Sequence, residues 1–339
     1  MVGKKRLVAI IAAAVIGSLL IGCGSSAGTS STINGNSNGD VRNIGVVQLV
    51  QHDALDSANK GFVDGLKEKG YEDGKNLNID QQNAQGEQAN AQTITKQFAD
   101  SNKDLIFAIA TPAAQAAYNS TKDIPIVFTA VTDPVAAEIA KDWNSSGTNV
   151  TGTSDKVPVE DQIKLLKQLL PDTKTVGVIY NTSETNSVIQ VNELKAAAEK
   201  EGLAVKEVGV TNVNEINQNL ASAINEIDVL YTPTDNTVAS AYSLVGKQCL
   251  DANKPIIGAE EAVVTKGGLA TIGIDYYKLG KEAGYKAADI LGGKNPSDVP
   301  ITTLSEMAFT INTDVGQKLG ITIPEDILKD AKKVTGGVE

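Results

Sequence analysis

The chain has 339 residues, 41% of them hydrophobic, and carries 30 basic against 41 acidic side chains for a formal net charge of −11. That balance excludes a nucleic-acid binder, which needs a basic footprint. The length exceeds what one hydrophobic core usually serves, so two domains are expected. A single histidine, His52, and two widely separated cysteines, Cys23 and Cys249, exclude multi-histidine chemistry and a disulfide framework; neither a metal nor a cofactor is expected.

The chain opens on a basic head, Lys4, Lys5 and Arg6, followed by an apolar run from Leu7 to Ile21. The run is shorter than the ~20 residues of a comfortable membrane span. With its basic head it reads as a secretory signal over residues 1–22. Its end, Leu20-Ile21-Gly22-Cys23, resembles a bacterial lipobox, which implies that Cys23 is diacylated and becomes the first residue of the mature protein. Two acyl chains anchor stably where one holds a membrane only marginally. Residues 23–40 combine this cysteine with a tether rich in Gly, Ser, Asn and Thr that has too little apolar surface to order itself. Gly24-Ser25-Ser26-Ala27-Gly28 matches a hydrolase pattern, but no strand precedes it and no amphipathic helix follows, so it is a chance match.

Beyond residue 43 strand-like and helix-like segments alternate. A strand at 44–50 leads to a helix whose Leu55, Ala58, Phe62 and Leu66 share one face, stopped at Gly70. Strands follow at 76–82, 104–110 and 124–131. Thr111-Pro112 opens a helix after the third strand, and Thr132-Asp133-Pro134 is expected to open another after the fourth. The pattern then repeats, with strands near 173–180, 203–210, 227–233, 254–261 and 269–277. A long helix is expected from Thr234-Asp235-Asn236 to Asn253, and another from Lys278 to Leu291. Such alternation predicts an α/β protein of two doubly wound parallel-sheet lobes. Segments 149–160, 273–277 and 300–305 read as crossings, a multi-strand hinge. The expected lobes are 41–152 with 276–302, and 153–275 with 303–339.

Open α/β sheets bind ligands beyond the carboxyl ends of their strands. Those ends carry Gln51 and His52, Thr111, Thr129, Thr132 and Asp133 in the first lobe. In the second they carry Asn181, Ser183 and Glu184, then Asp235 and Asn236, with Glu260 a further candidate. Helix starts and hydroxyls suit a carboxylate, and Asp235 or Glu184 suits an ammonium group. The set predicts a small zwitterion in the cleft, with His52, Phe128, Tyr180 and Tyr276 as candidate walls and no residue doing chemistry, so no enzyme is expected.

Seven segments, NIGVVQLVQHDALD, DLIFAIATPAAQAA, IPIVFTAVTDPVAAE, NVTGTSD, VGVIYNTSETNS, LYTPTDNTVAS and LATIGIDYYKLGKEAG, resemble the tryptophan/tyrosine-type substrate-binding proteins of ABC importers over residues 43 to 310. The resemblance implies a periplasmic-binding-protein type I fold, a hinged cleft for an aromatic amino acid, and delivery to a permease with a cytoplasmic ATPase. Carried over position by position, it implies cleft roles for Thr111, Thr129, Thr132, Asp133, Asn181, Ser183, Glu184, Asp235 and Asn236. The expected protein is a monomer, lipid-anchored on the extracytoplasmic face of a bacterial membrane. The alternative is a ligand-sensing domain for a membrane receptor.

Overall fold

The structure, a computed structural model, describes residues 41–338. The signal segment, Cys23 and the tether lie outside the described residues. The chain runs β1 (Arg42–Gln48), α1 (Asp53–Glu68), β2 (Leu77–Asn83), α2 (Gln88–Asp100), β3 (Leu105–Ile109), α3 (Thr111–Ser120), β4 (Ile126–Thr129) and β5 (Val150–Ser154). It continues through α4 (Val159–Leu169), β6 (Thr175–Asn181), α5 (Thr185–Lys200), β7 (Ala204–Val210), α6 (Ile216–Ala223), β8 (Val229–Thr232), α7 (Asn236–Ala239), α8 (Tyr242–Asp251), β9 (Ile256–Gly258), α9 (Glu261–Thr265) and β10 (Ala270–Gly273). It closes with α10 (Tyr276–Leu291), β11 (Thr302–Thr303), β12 (Ala308–Asn312), α11 (Thr313–Lys318), α12 (Glu325–Asp330) and β13 (Lys332–Val334).

The strands form two sheets, ordered β11-β5-β4-β3-β1-β2 and β13-β12-β10-β9-β8-β6-β7. Every pairing is parallel except β10 with β12. Parallel strands need helical crossovers and are covered on both faces, which is why LIFAI of β3 and IVFT of β4 are buried at every residue. The chain passes between the two lobes three times: between β5 and α4, between β10 and α10, and between β11 and β12. No helix among the described residues is long and apolar enough to cross a membrane.

Helix α1 buries the expected face, Leu55, Ala58, Phe62 and Leu66, and Phe62 stacks on Phe107 of β3 with ring centroids 3.5 Å apart. Its adjoining face packs against α10 through glycines. A Cβ on Gly61 would lie 2.1 Å from the carbonyl oxygen of Tyr277, and one on Gly280 would lie 1.9 Å from that of Ala58. Only residues without a side chain permit this approach.

Three expectations are corrected. No helix follows Thr132-Asp133-Pro134. The Asp133 side chain accepts from the backbone N–H groups of Val135 and Ala136, but Glu138 turns to φ 60° and the segment ends as successive turns. The long helix from Thr234 to Asn253 is two helices, α7 and α8, separated at Ser240 and Ala241, where Ser240 Oγ donates back to the Thr237 carbonyl. Helix α10 starts at Tyr276 rather than Lys278, because the Asp275 side chain caps it by accepting from the Lys278 N–H.

Candidate functional site

The carboxyl ends of the two sheets meet. Thr132, just after β4, and Thr234, just after β8, place their Oγ1 atoms 3.1 Å apart. Beside this contact lies a cavity of about 550 Å³, within the usual range for small-molecule sites. Leu49, Val50, Gln88 and Pro112 of the first lobe face Asn181, Ser183, Glu184, Asn212, Asn236 and Thr237 of the second across it. A second cavity of about 240 Å³ is lined by Gln51 and His52 on one side and Tyr242 and Ala262 on the other. The first-lobe strand ends are conformationally strained: Ala110 sits at φ 85° and Ala130 at φ 56°. Such strain persists where the surroundings impose it, commonly at binding sites. At Ala110 it leads directly into Thr111-Pro112 at the start of α3.

The buried acidic side chains among the described residues are Asp155, Glu184, Asp235 and Glu260, and no lysine or arginine is buried with them. Three of the four are engaged within the protein. Asp235 Oδ2 accepts from the Asn181 N–H (2.6 Å) and the Ser187 hydroxyl (2.6 Å), and Oδ1 accepts from the Val238 N–H (2.8 Å). Glu184 accepts from the Asn236 and Thr237 N–H groups at the start of α7 and from the side chains of Asn186, Asn236 and Thr237. Burial, reinforced by the Glu184 charge, pushes the Asp235 carboxyl upward. Asp155 accepts from Thr132 Oγ1 and from the Tyr276 hydroxyl, both at 2.9 Å. Burial raises its pKa also.

Glu260 differs. It is 3% exposed, and its Oε2 has no hydrogen-bond partner. Burial raises it well above the ordinary carboxyl value, and Asp155, Asp235 and Glu184 push in the same direction. Among the other unpartnered buried atoms are both ring nitrogens of His52 and Thr111 Oγ1, just beyond strand ends of the first lobe, and in the second Thr232 Oγ1 at the end of β8 and the Tyr242 hydroxyl at the start of α8. Burial depresses the His52 imidazole to about 4, against the opposing influence of Asn236, Asp56 and Asp53.

The sequence-predicted residues therefore fall into distinct places. Asn181, Ser183, Glu184 and Asn236 share the larger cavity, and Gln51 and His52 the smaller. Thr111 is buried with its hydroxyl unpaired. The Thr129 hydroxyl bonds that of Thr153 (2.9 Å) in the neighbouring strand. Asp133 caps a turn and stands 3.8 Å from the Lys156 ammonium. Two candidate walls lie elsewhere: Phe128 is fully buried against Gly152 of β5, and Tyr180 points to the outer edge, bonded to Glu207. Residues the sequence did not single out are Thr232, Tyr242, Gln190 and Asp155. Asp155 had a signal, the end of NVTGTSD; Tyr242 had none, because the helix break that exposes its position is not written in the pattern.

The family of ABC transporter substrate binding proteins matches residues 43–335. The chain is 47% identical over 318 residues to a tyrosine-binding protein of Clostridioides difficile strain R20291, covering 93% of this chain and 92% of that one. An ABC domain from Streptococcus pneumonia in complex with L-Trp is 42% identical with a TM-score of 0.84, covering 86% of this chain and 99% of that one. A ligand-free, open substrate-binding protein with adhesive properties from Clostridium difficile is 48% identical, with coverages of 87% and 99%, yet its TM-score is 0.67. The lobes here are thus arranged more like those of the L-Trp complex than like those of the open protein. The two-sheet architecture is also that of far more distant solute-binding proteins at 14–15% identity, the periplasmic-binding-protein type I fold. With a match spanning nearly all the described residues and these likenesses in sequence and fold, the chain belongs to the ABC transporter substrate-binding protein family.

Proposed function

We propose that this protein captures an aromatic amino acid between its lobes and hands it to an ABC importer, a membrane permease driven by a cytoplasmic ATPase. In this reading Cys23 carries the lipid that holds it on the extracytoplasmic face. The observation that carries the ligand class is the unpaired Glu260 carboxyl, buried in a set of four acids with no buried lysine or arginine among the described residues. An ammonium group supplies the missing charge and donor. Asp235 and Glu184, satisfied by the protein, hold the start of α7 in place rather than meeting the ligand's cation. The free hydroxyl of Thr111 and the first N–H groups of α3 suit the ligand's carboxylate. Two relatives, a tyrosine-binding protein and a domain crystallised with L-Trp, support an aromatic side chain.

The test is a melting-temperature scan of residues 24–339 against all common amino acids, short peptides and sugars. A ligand at ~1,000 times its dissociation constant adds ~4 kcal/mol, a shift of several degrees. Shifts with Trp, Tyr or Phe alone are expected. Shifts confined to sugars or peptides would discard the specificity, and none at all would favour a receptor role. For the anchor, Cys23→Ser is expected to release the full-length protein from membranes; unchanged membrane retention would refute the lipid attachment.

A further inference from the structure

We infer that Thr132 and Thr234 are the two halves of an interlobe latch, seated on Asp155, that sets how strongly any ligand is held without touching the ligand. This rests on the two-lobe binding reading above, and it follows from a chain of hydrogen bonds whose direction chemistry fixes. Asp155 Oδ1 takes the only proton of the Thr132 hydroxyl at 2.9 Å. Thr132 Oγ1 is therefore the acceptor in its 3.1 Å contact with Thr234, and the Thr234 hydroxyl the donor. Thr234 Oγ1 in turn accepts from Gln190 Nε2 at 2.5 Å, and the Thr234 N–H donates to Gln190 Oε1 at 2.9 Å. Protons thus point in one sequence, from Gln190 on α5 through Thr234 to Thr132 and on to Asp155.

The ends of this chain explain its effect. Thr132 follows a strand of the first sheet and Thr234 a strand of the second, so their bond exists only while the lobes are together. Asp155 lies on the passage from β5 to α4, and its other oxygen accepts from the hydroxyl of Tyr276, which opens α10 beyond the passage from β10. One carboxylate therefore ties the lobe contact to two of the three passages between lobes. Ser154 Oγ donates to the Thr132 carbonyl at 2.8 Å and fixes the loop that presents it. All four members, Thr132, Thr234, Asp155 and Gln190, are buried. A residue stabilising the closed form alone changes affinity by the same factor for every ligand.

The experiment compares Thr132→Val and Thr234→Val with the full soluble chain. Affinity and dissociation rates are measured by titration and stopped flow for whichever amino acids the wild type binds. Lobe separation without ligand is read from spin labels at Gln92→Cys and Gln218→Cys, both exposed and on opposite lobes. Each variant is expected to bind every ligand roughly three- to tenfold more weakly, the worth of one net hydrogen bond. The loss falls on the dissociation rate, the ranking of ligands stays fixed, and the ligand-free distances lengthen. The double variant is expected to be little worse than either single one, since both remove the same bond, and Thr132→Ser restores the wild-type values. Unchanged affinity with unchanged distances would overturn the latch. So would a loss confined to one ligand, which would make Thr132 a ligand contact. If the valine variants do not fold, Thr132→Ser and Thr234→Ser decide it: a loss of closure despite a retained hydroxyl overturns the hydrogen-bond account. If no amino acid binds the wild type, the transport reading falls while the label distances still judge the latch.

Discussion

Glu260 and His52 are both buried, and they couple to pH with opposite signs. Glu260 keeps its proton in the fold above the pH at which the unfolded chain loses it. The ligand-free protein is therefore destabilised as pH rises from ~4.5. Glu260→Gln removes that penalty. It is expected to raise or preserve the melting temperature of the ligand-free protein at pH 7, with the advantage gone below pH ~4. On the proposed reading the same substitution deletes the counter-ion of the ammonium group and is expected to lower affinity by ~2–5 kcal/mol, as for truncated buried charge pairs. Calorimetric titration and melting of one variant separate the two effects; a lowered melting temperature with unchanged affinity would make Glu260 structural. His52 runs the other way. Its folded value, about 4, lies below the ordinary histidine value of 6.5, so its contribution is complete above pH ~6.5 and is lost as pH falls towards 4. That loss amounts to about 3 kcal/mol. His52→Asn is expected to abolish it, so that between pH 7 and 4 urea unfolding of the wild type loses about that much more stability than unfolding of the variant.

Between elements, the contact of α1 with α10 is the one that tolerates least. Their backbones touch across Gly61, Gly65, Gly280 and Gly284, and the clashing atoms are main-chain carbonyls and amides that cannot rotate away. Gly280→Ala is expected to cost at least the ~1–3 kcal/mol typical of overpacking, read as a lower urea midpoint, whereas Gly70→Ala meets no atom but carries a left-handed backbone and is expected to cost ~1 kcal/mol. This pairing also shows what the sequence made legible. The spacing of Leu55, Ala58, Phe62 and Leu66 identifies the buried face of α1 because burial follows the 3.6-residue period. The glycines on its adjoining face carry no such signal, since their role depends on a helix more than two hundred residues away. The central strand ends were readable for the same reason as the helix faces: interior parallel strands such as β3 and β4 are apolar throughout and stop at polar residues. Which polar residue is committed to the protein was not readable. Asp235 and Glu260 look equivalent in sequence, and only the hydrogen bonds from Asn181, Ser187 and Val238 distinguish them. The break between α7 and α8 escaped because Ser240 and Ala241 are unremarkable helix residues until Ser240 bonds back to Thr237.

For the molecule as a whole, closure sets two opposing terms against each other. Bringing the lobes together forms the Thr132–Thr234 bond, but in this arrangement Asp155 and the second lobe's Glu184, Asp235 and Glu260 are all buried, with no buried lysine or arginine among the described residues. Like charges withdrawn from water repel strongly, and protonation or a bound cation is what relieves them. On the proposed reading a ligand ammonium therefore favours the closed form by more than its own contacts, and a ligand lacking one does not. Two outcomes in small-angle scattering follow from this balance. At pH 7.5 the ligand-free protein is expected to populate open and closed forms together and to contract when its amino acid is added. On acidification towards pH 5, with no ligand present, it is expected to contract part of the way, because the Asp235 carboxyl, pushed up to about 7, takes up a proton and the repulsion falls. Glu260→Gln is expected to be more contracted than the wild type at pH 7.5 and less responsive to acid. A radius of gyration that ignores both ligand and pH would mean that the latch alone outweighs the four acids, and that release to a permease would require the permease itself to pull the lobes apart.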